Sequence, residues 1–174
     1  MNMWYFTGKG DQGDSSLYEG HRISKGDVVF ELIGTLDEAN AQLGMAVSLC
    51  KTPEIKTDLR DIQNHLSKLM GFIACVKDTE LEENIVLKNA IDWLEAKINE
   101  FGKFVKNPRA FINSGETTFG AAIDISRTVI RRAERIAVRH FGIGEDGRKE
   151  VLAYLNRLSS YLYILRLFAE KSID

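Results

Sequence analysis

From Phe30 onward, apolar residues recur at steps of three and four, the spacing that places side chains on one face of a helix. This pattern predicts a first helix from Phe30 to about Leu49. A second helix is predicted from Thr52-Pro53, an N-cap followed by a first-turn proline, to about Val76. The apolar positions that define the two helices are Phe30, Ile33, Leu36, Ala39, Leu43 and Val47, then Ile55, Leu59, Ile62, Leu66, Leu69 and Ile73.

The second half of the chain has the same helical character. A third helix is predicted from about Glu83 to Lys103, before Asn107-Pro108 breaks the pattern and a short extended piece follows. The fourth and fifth helices are predicted at about Thr117 to Phe141 and about Lys149 to Lys171. No segment shows the sustained alternation that is typical of strands. The sequence therefore predicts an all-α bundle of four or five long helices, up-and-down because the connections are short.

Residues 1–28 have a different composition, because glycines alternate there with Ser, Asp and Lys and large apolar residues are scattered. Such a segment holds no core of its own, so we expect a ligand or a neighbouring surface to order it. Its backbone N–H groups and hydroxyls could wrap phosphates, and Lys25 would add a positive charge. It is not a Walker A loop, since no Gly-Lys-Ser/Thr ending occurs. A flexible terminus is the alternative.

Four charged residues are concentrated on the fourth predicted helix. Arg127, Arg131 and Glu134 fall on one stripe, with Arg135 beside it. Like charges four residues apart destabilise a helix, so a carboxylate or a polyanionic ligand must offset them. A solvated or salt-bridged basic face is the alternative, and the spacing alone favours it.

The fifth predicted helix is apolar around nearly its whole circumference, which indicates burial on several sides. A central position in an oligomer would explain this pattern, so we expect a homo-oligomer. Asn156 interrupts the apolar run. It either satisfies a neighbouring polar group in the core or presents its amide to a ligand.

Composition and charge restrict the function classes. The 174 residues fit one domain, with 1–28 as the Gly-rich segment and 29–174 as the bundle. The formal net charge of −2 removes a general electrostatic attraction to nucleic acid or anionic membrane. No apolar run approaches the roughly 18–20 residues of a membrane span, and the start lacks targeting features. We therefore expect a cytoplasmic protein that binds neither nucleic acid nor membrane.

The reactive residue types form no recognisable catalytic motif. Cys50 and Cys75 match no disulfide framework or zinc motif and are expected to be buried, reduced thiols. The three histidines are scattered, and Glu-x-x-His pairs of the kind that hold a di-iron site are absent. No Ser/His/Asp or Cys/His arrangement can be argued from spacing. An enzyme with this sequence is expected to lack a nucleophile of its own.

Four strings stand in order along the chain. They are Thr7-Gly8-Lys9-Gly10-Asp11-Gln12-Gly13-Asp14-Ser15-Ser16-Leu17, Glu31-x-x-Gly34-Thr35-Leu36-Asp37-Glu38-Ala39-Asn40, Ser126-Arg127-Thr128-Val129-Ile130-Arg131-Arg132-Ala133-Glu134-Arg135, and Tyr154-Leu155-Asn156-Arg157-Leu158-Ser159-Ser160-Tyr161-Leu162. Together they resemble the PduO-type ATP:cob(I)alamin adenosyltransferases. The second string matches a Gly-Thr-x-Asp-Glu element of that family, and the third matches its most distinctive string.

The resemblance implies a five-helix bundle that assembles as a homotrimer with active sites between subunits. It implies an intersubunit salt bridge between Asp37 and Arg127, and a Phe111 that crowds the lower face of the corrin. Arg131 and Arg135 are the implied catalytic cations, and Phe111 is the third implied catalytic residue. The implied ATP-binding residues are Thr7, Gly8, Lys9, Gly10, Ser15, Ser16, Lys25, Arg131, Glu134, Arg135 and Asn156.

The implied reaction transfers the 5′-deoxyadenosyl group of ATP to cob(I)alamin. Cob(I)alamin is itself the nucleophile, which agrees with the lack of one in the chain. Lys25, Arg131 and Arg135, with Mg²⁺, would stabilise the departing triphosphate. A cobalamin reductase and an adenosylcobalamin-dependent enzyme are the implied transient partners. The chain departs from the family pattern in a loop two residues longer between Thr7 and Ser15, and in Asn113-Ser114-Gly115 where many members have Pro-Gly-Gly.

Three other function classes compete with this interpretation. A non-catalytic ATP-binding helical module would use the same loop without converting a corrinoid. A helical nucleic-acid binder would be built around residues 127–139, and its affinity would fall steeply with salt. A purely structural bundle would leave the Gly-rich start without a role.

Overall fold

A computed structural model describes residues 8–17, 22–75, 80–106, 108–142 and 148–171, with the backbone alone for 80–85. Helices make up most of this part of the chain, which confirms the predicted all-α class. All five predicted helices are present, and their observed ends lie within three residues of the predicted ones. The helices are α1 (Val28–Leu49), α2 (Pro53–Ala74), α3 (Glu80–Gly102), α4 (Thr118–Phe141) and α5 (Lys149–Lys171).

Local capping explains where several helices begin and end. The side chain of Asp27 accepts a hydrogen bond from the Val29 amide at the start of α1, and Thr117 accepts one from the Gly120 amide at the start of α4. Thr52 occupies the N-cap position of α2 as predicted, although its side chain makes no cap hydrogen bond. Gly142 caps the end of α4, and its φ of 78° favours glycine.

The helix directions alternate along the chain, as an up-and-down bundle requires. Hydrogen bonds and ion pairs set the register: Arg139 pairs with Glu31 between α4 and α1, and Gln63 donates to the Asn40 carbonyl between α2 and α1. Around the bundle the order is α2, α1, α4, α5, α3, and α3 packs again on α2. Because α3 and α4 are not neighbours in this order, the long connection 103–117 between them crosses one end of the bundle.

The helix α5 lies against three other helices of the same chain. It packs on α4 and α3, and its Tyr161 hydroxyl donates to Asp58 Oδ2 on α2 at 3.2 Å. Its inward residues, including Tyr154 and Tyr161, are fully buried within one chain. The predicted burial of this helix on several sides is confirmed, but one chain provides it, so the apolar pattern of α5 does not by itself require an oligomer and the homo-oligomer stays a prediction.

The N-terminal segment contains a short hairpin that the sequence did not predict. Strand β1 (Asp14–Ser16) pairs antiparallel with β2 (Arg22–Ser24), with Ser15 opposite Ile23. Three-residue strands are too short to show an alternating pattern. Leu17 and Ile23 pack against the bundle core, so the chain's own surface holds the hairpin. This agrees with the expectation that a neighbouring surface or a ligand orders the segment.

The two cysteines are free thiols, with Cys50 buried and Cys75 half-buried. No helix in the described ranges is long and apolar enough to cross a membrane.

Candidate active site

The glycine-rich segment and the hairpin enclose a pocket of about 340 Å³. Five of the residues predicted to bind ATP line it, together with Asp14 and Arg22, which were not predicted as site residues. Gly8 lies directly before this group, and Thr7 lies outside the described residues. The predicted residues that line this pocket are Lys9, Gly10, Ser15, Ser16 and Lys25.

Lysine and arginine side chains from β2 and the turn after it hold the loop in a curve. Lys25 Nζ donates to the Gly10 carbonyl at 2.7 Å, and Arg22 Nη2 donates to the Lys9 carbonyl at 2.8 Å. A Cβ at Gly10 would lie 2.9 Å from Lys25 Nζ, so a larger residue there would require the lysine side chain to shift. Three cations and several hydroxyl and backbone groups therefore surround one small concave surface, as phosphate binding requires.

A second pocket, of about 330 Å³, lies across α5 between α4 and the end of α3. Arg127 and Arg131 line it from α4. The rest of its surface combines three hydroxyl groups with an apolar wall. These other lining residues are Gly102, Val105, Ser159, Ser160, Tyr163, Ile164 and Leu167.

Glu134 and Asn156 are brought together one turn away from this pocket. Asn156 Nδ2 donates to Glu134 Oε1 at 3.0 Å, and Arg157 Nη1 donates to Asn156 Oδ1 at 2.9 Å. Both predicted nucleotide residues are half-buried, so parts of their polar groups face solvent. The contact supports both interpretations of Asn156: it satisfies a neighbour, and it also lies at the edge of a candidate binding groove.

The three predicted arginines of α4 differ in how their charge is compensated. Arg127 Nε pairs with Asp124 Oδ1 at 2.8 Å. Arg131 is exposed, and Arg135 Nη1 donates only to the Arg131 carbonyl at 3.1 Å. Within the described ranges neither Arg131 nor Arg135 has a carboxylate partner. The pocket side of α4 thus carries uncompensated positive charge that a polyanion would offset.

Phe111 lies on the connection between α3 and α4 and is 97% exposed. Large aromatic side chains gain free energy by leaving water, so this exposure indicates a surface that a ligand or another subunit covers. Asp37 is also exposed, and no residue in the described part of its own chain forms an ion pair with it. The Asp37–Arg127 pair, which the resemblance implies between subunits, is not formed within one chain, and Arg127 pairs there with Asp124.

Sequence reasoning missed two charged residues behind the second pocket, Asp124 and Arg166. Arg166 is 2% exposed and lies 3.6 Å, measured at Nη1, from Asp124 Oδ1. The sequence did contain a signal for Arg166, because it is a charged residue within the apolar run of α5, one turn after Leu162. Such a residue must be paired in the core.

The sequence profile of cobalamin adenosyltransferases matches residues 5–169 of the chain. The chain belongs to the cobalamin adenosyltransferase family. This membership confirms the predicted family and the predicted enzyme class.

Curated relatives in this family come from bacteria and animals. The corrinoid adenosyltransferase of Bacillus subtilis is 32% identical over 165 residues, which cover 92% of this chain and 83% of the relative. The bovine MMAB corrinoid adenosyltransferase is 34% identical over 92% of this chain and 68% of its own length. The Citrobacter freundii PduO protein is 33% identical over 94% of this chain, which spans only about half (49%) of that relative.

Solved structures of cobalamin adenosyltransferases share the fold. A phenylalanine-to-histidine variant of a PduO-type ATP:corrinoid adenosyltransferase from Lactobacillus reuteri, complexed with cobalamin and ATP, gives a TM-score of 0.84 at 27% identity. The match covers 97% of this chain and 91% of that one. An arginine-to-lysine variant complexed with ATP gives a TM-score of 0.81 at 26% identity, covering 95% and 94%.

Proposed function

We propose that this chain transfers the 5′-deoxyadenosyl group of ATP to cob(I)alamin, giving adenosylcobalamin and triphosphate. The observation that carries the proposal is the pocket at α5, where Arg127 and Arg131 border an apolar wall. This combination suits a site in which a polyanionic nucleotide meets a large, partly apolar corrinoid.

The chain's contribution to the reaction is electrostatic and positional. Cobalt(I) of the substrate attacks the ribose C5′ of ATP, and the C5′–O bond breaks to release triphosphate. Arg131 and Arg135, which lack carboxylate partners in the described ranges, are the groups available to stabilise the charge on the leaving group. Holding the corrinoid in line with C5′ lowers the barrier further.

The ATP side is assigned to the N-terminal pocket together with the α4–α5 groove. Lys9, Gly10, Ser15, Ser16 and Lys25 would bind phosphate oxygens, while Glu134 and Asn156 would hold the nucleoside. The two pockets share no lining residue within the chain. A homotrimer, in which the loop of one subunit closes over the groove of the next, would complete the site.

Exposed apolar side chains support this assembly. Met45 on α1 is 50% exposed and Ile125 on α4 is 46% exposed. The register set by the Glu31–Arg139 ion pair places them at the same level on the α1–α4 face. Asp37 and Arg127 lie on these same two helices, so one interface would cover the apolar pair and join the two charges.

Phe111 is assigned to the corrin side. Its ring would pack on the lower face of the macrocycle and keep a lower ligand away from cobalt. Its 97% exposure means that little in its own chain competes for the ring.

Mg²⁺ is assigned as a companion of ATP. No three His, Cys, Asp or Glu side chains in the described ranges form a metal-binding group. Mg²⁺ in nucleotide sites is commonly held by phosphates and waters with one or two carboxylates, which such a surface can accommodate. When bound, it would neutralise charge on the triphosphate.

The test is an anaerobic absorbance assay with chemically reduced cob(I)alamin, MgATP and the purified protein, with a control lacking ATP. We expect loss of the cob(I)alamin spectrum and growth of light-sensitive adenosylcobalamin. ATP binding without conversion would instead favour the non-catalytic module. A cytoplasmic location, a reductase that supplies cobalt(I) and an enzyme that takes the product complete the proposal.

A further inference from the structure

Arg166 is a buried cation with partners from three parts of the fold. Its Nε donates to Glu170 Oε2 on α5 at 3.0 Å, and its Nη1 lies 3.6 Å from Asp124 Oδ1 on α4. Its Nη2 donates to the carbonyl of Asn113, in the connection between α3 and α4. The planar guanidinium reaches these three separate acceptors with donors fixed in a rigid fork, whereas a lysine has one compact ammonium group.

Both carboxylates make a second contact that extends the network toward the candidate site. Glu170 Oε1 accepts a hydrogen bond from the Gly115 amide at 3.4 Å, and Asp124 Oδ1 accepts one from Arg127 Nε at 2.8 Å. Two cations and two anions therefore balance within the cluster. Through it, Asn113 and Gly115 are fastened to α5, and Arg127 at the pocket is tied to the same buried centre.

Phe111 lies two residues before the fastened carbonyl of Asn113. Because its ring is 97% exposed, its own packing does little to fix its position. The hydrogen bonds from α5 to the Asn113 carbonyl and the Gly115 amide are thus the restraint from α5 that lies nearest to Phe111 in the sequence.

We propose that Arg166 is a positioning residue that sets the location of Phe111 relative to the pocket of Arg127 and Arg131. The proposal rests on the proposed function, since it assigns this segment to the corrin side. Arg166 itself is buried and touches no substrate. Its effect passes through Asn113 and Gly115 on one side and through Asp124 on the other.

The experiment compares Arg166→Met and Arg166→Lys with the wild-type enzyme, varying cob(I)alamin and ATP separately. We expect the KM for cob(I)alamin to rise roughly tenfold in Arg166→Met, since small displacements at a reactive site are costly, while the KM for ATP changes less than about twofold. Arg166→Lys keeps the positive charge but loses the planar, multi-donor guanidinium, so its KM for cob(I)alamin should lie between those of the wild type and Arg166→Met. Hydrogen exchange at the amides of 113–115 should be faster in both variants.

Lys97→Met is the matched control, because Lys97 Nζ forms a partly buried ion pair with Asp58 Oδ2 at 2.9 Å, away from this segment. Lys97→Met should lower the melting temperature without raising the KM for cob(I)alamin relative to the KM for ATP. Equal increases of both KM values in Arg166→Met, or unchanged exchange at 113–115, would overturn the proposal.

Glu170→Gln provides a second route if Arg166→Met does not fold. The variant keeps the side-chain shape but removes the negative charge that contacts Arg166 and the Gly115 amide. We therefore expect the KM for cob(I)alamin to rise more than the KM for ATP, by a smaller factor than in Arg166→Met. If the wild type converts no corrinoid, the proposed function fails and exchange at 113–115 alone decides whether Arg166 holds the segment.

Discussion

Arg127 Nε donates to Asp124 Oδ1 over 2.8 Å, and the two residues lie one turn apart on α4. This contact uses one of the five N–H donors of the guanidinium. The contacts described for Arg127 leave its terminal nitrogens available for a second carboxylate. The short-range pair with Asp124 and a pair with Asp37 of a neighbouring subunit are therefore compatible.

Replacing Asp37 with Asn tests the second pair. Asp37 is exposed, so the variant should fold normally, but a desolvated arginine at the interface would lose its charge partner. We expect the proposed trimer to dissociate at a roughly tenfold higher concentration, or more, in sedimentation velocity. The affinity for ATP should fall with it, because the site is proposed to be shared.

Glu38→Gln is the control for Asp37→Asn. Glu38 is the next residue, and it pairs with Arg132 of its own chain. Its loss should leave the assembly intact. If Asp37→Asn sediments and binds ATP like the wild type, the intersubunit bridge is wrong.

Arg131→Ala tests the stabilisation of triphosphate. Arg131 is exposed and lines the α5 pocket, so its removal should not disturb the core. We expect kcat to fall by roughly 10²–10³-fold, the range for loss of one charge-stabilising group at a reacting centre. Single-turnover rates under anaerobic conditions give the measurement.

The matched control is Arg139→Ala, an exposed arginine on the same helix that pairs with Glu31 at 2.7 Å. It removes the same charge from α4 without touching the pocket. Equal rate losses in the two variants would mean that net charge, rather than the placement of Arg131, matters.

The helices α1 and α2 were predictable because each buries one face in a single core. Leu36 and Leu43 on α1 and Leu59 and Leu66 on α2 are fully buried, and their spacing in the sequence reports that burial directly. The predicted loop residues also converge, because the chain must turn at the glycines near β1. Short-range patterns of this kind depend only on neighbouring residues.

Contacts between distant segments left no such pattern. The hairpin pairs Ser15 with Ile23 over three-residue strands, and Arg166 meets Asn113 across 53 positions of sequence. The burial of α5 also depends on which helices surround it. That arrangement follows from the connection 103–117, whose path no periodicity encodes.

Asn156→Ala tests the contact between α5 and α4 at the nucleotide groove. The variant removes the donor to Glu134 Oε1 and leaves a half-buried carboxylate without that partner. We expect the KM for ATP to rise roughly tenfold, as for loss of a hydrogen bond to a charged group, with the KM for cob(I)alamin nearly unchanged. Steady-state rates at varied ATP give this KM, and isothermal titration shows whether the affinity for ATP falls with it.

The control for Asn156→Ala is Asn64→Ala, an exposed asparagine on α2 that should leave both KM values unchanged. Equal weakening of ATP and cob(I)alamin binding in Asn156→Ala would show that the contact holds the bundle rather than the nucleotide.

We expect His65 to make the stability of the bundle depend on pH. Its Nδ1 is buried without a hydrogen-bond partner in the described part of the chain, and its ring contacts Trp93 and Tyr154. Burial lowers the pKa of His65 below its usual value near 6.5; Asp61 partly opposes this shift and Lys68 adds to it. Because the unfolded chain takes up the proton more readily, stability is full above the unfolded pKa and falls as the pH drops below it.

His65→Gln should therefore lose less stability than the wild type on acidification. The measurement is urea denaturation at about pH 7.5 and about pH 5.5, on either side of the usual histidine pKa. Burial also lowers the pKa of His140, so His140→Gln should remove a separate part of the loss of stability on acidification. The double variant should remove the contributions of both histidines. If the free energy of unfolding falls between the two pH values as much in His65→Gln as in the wild type, His65 is not responsible for the acid sensitivity.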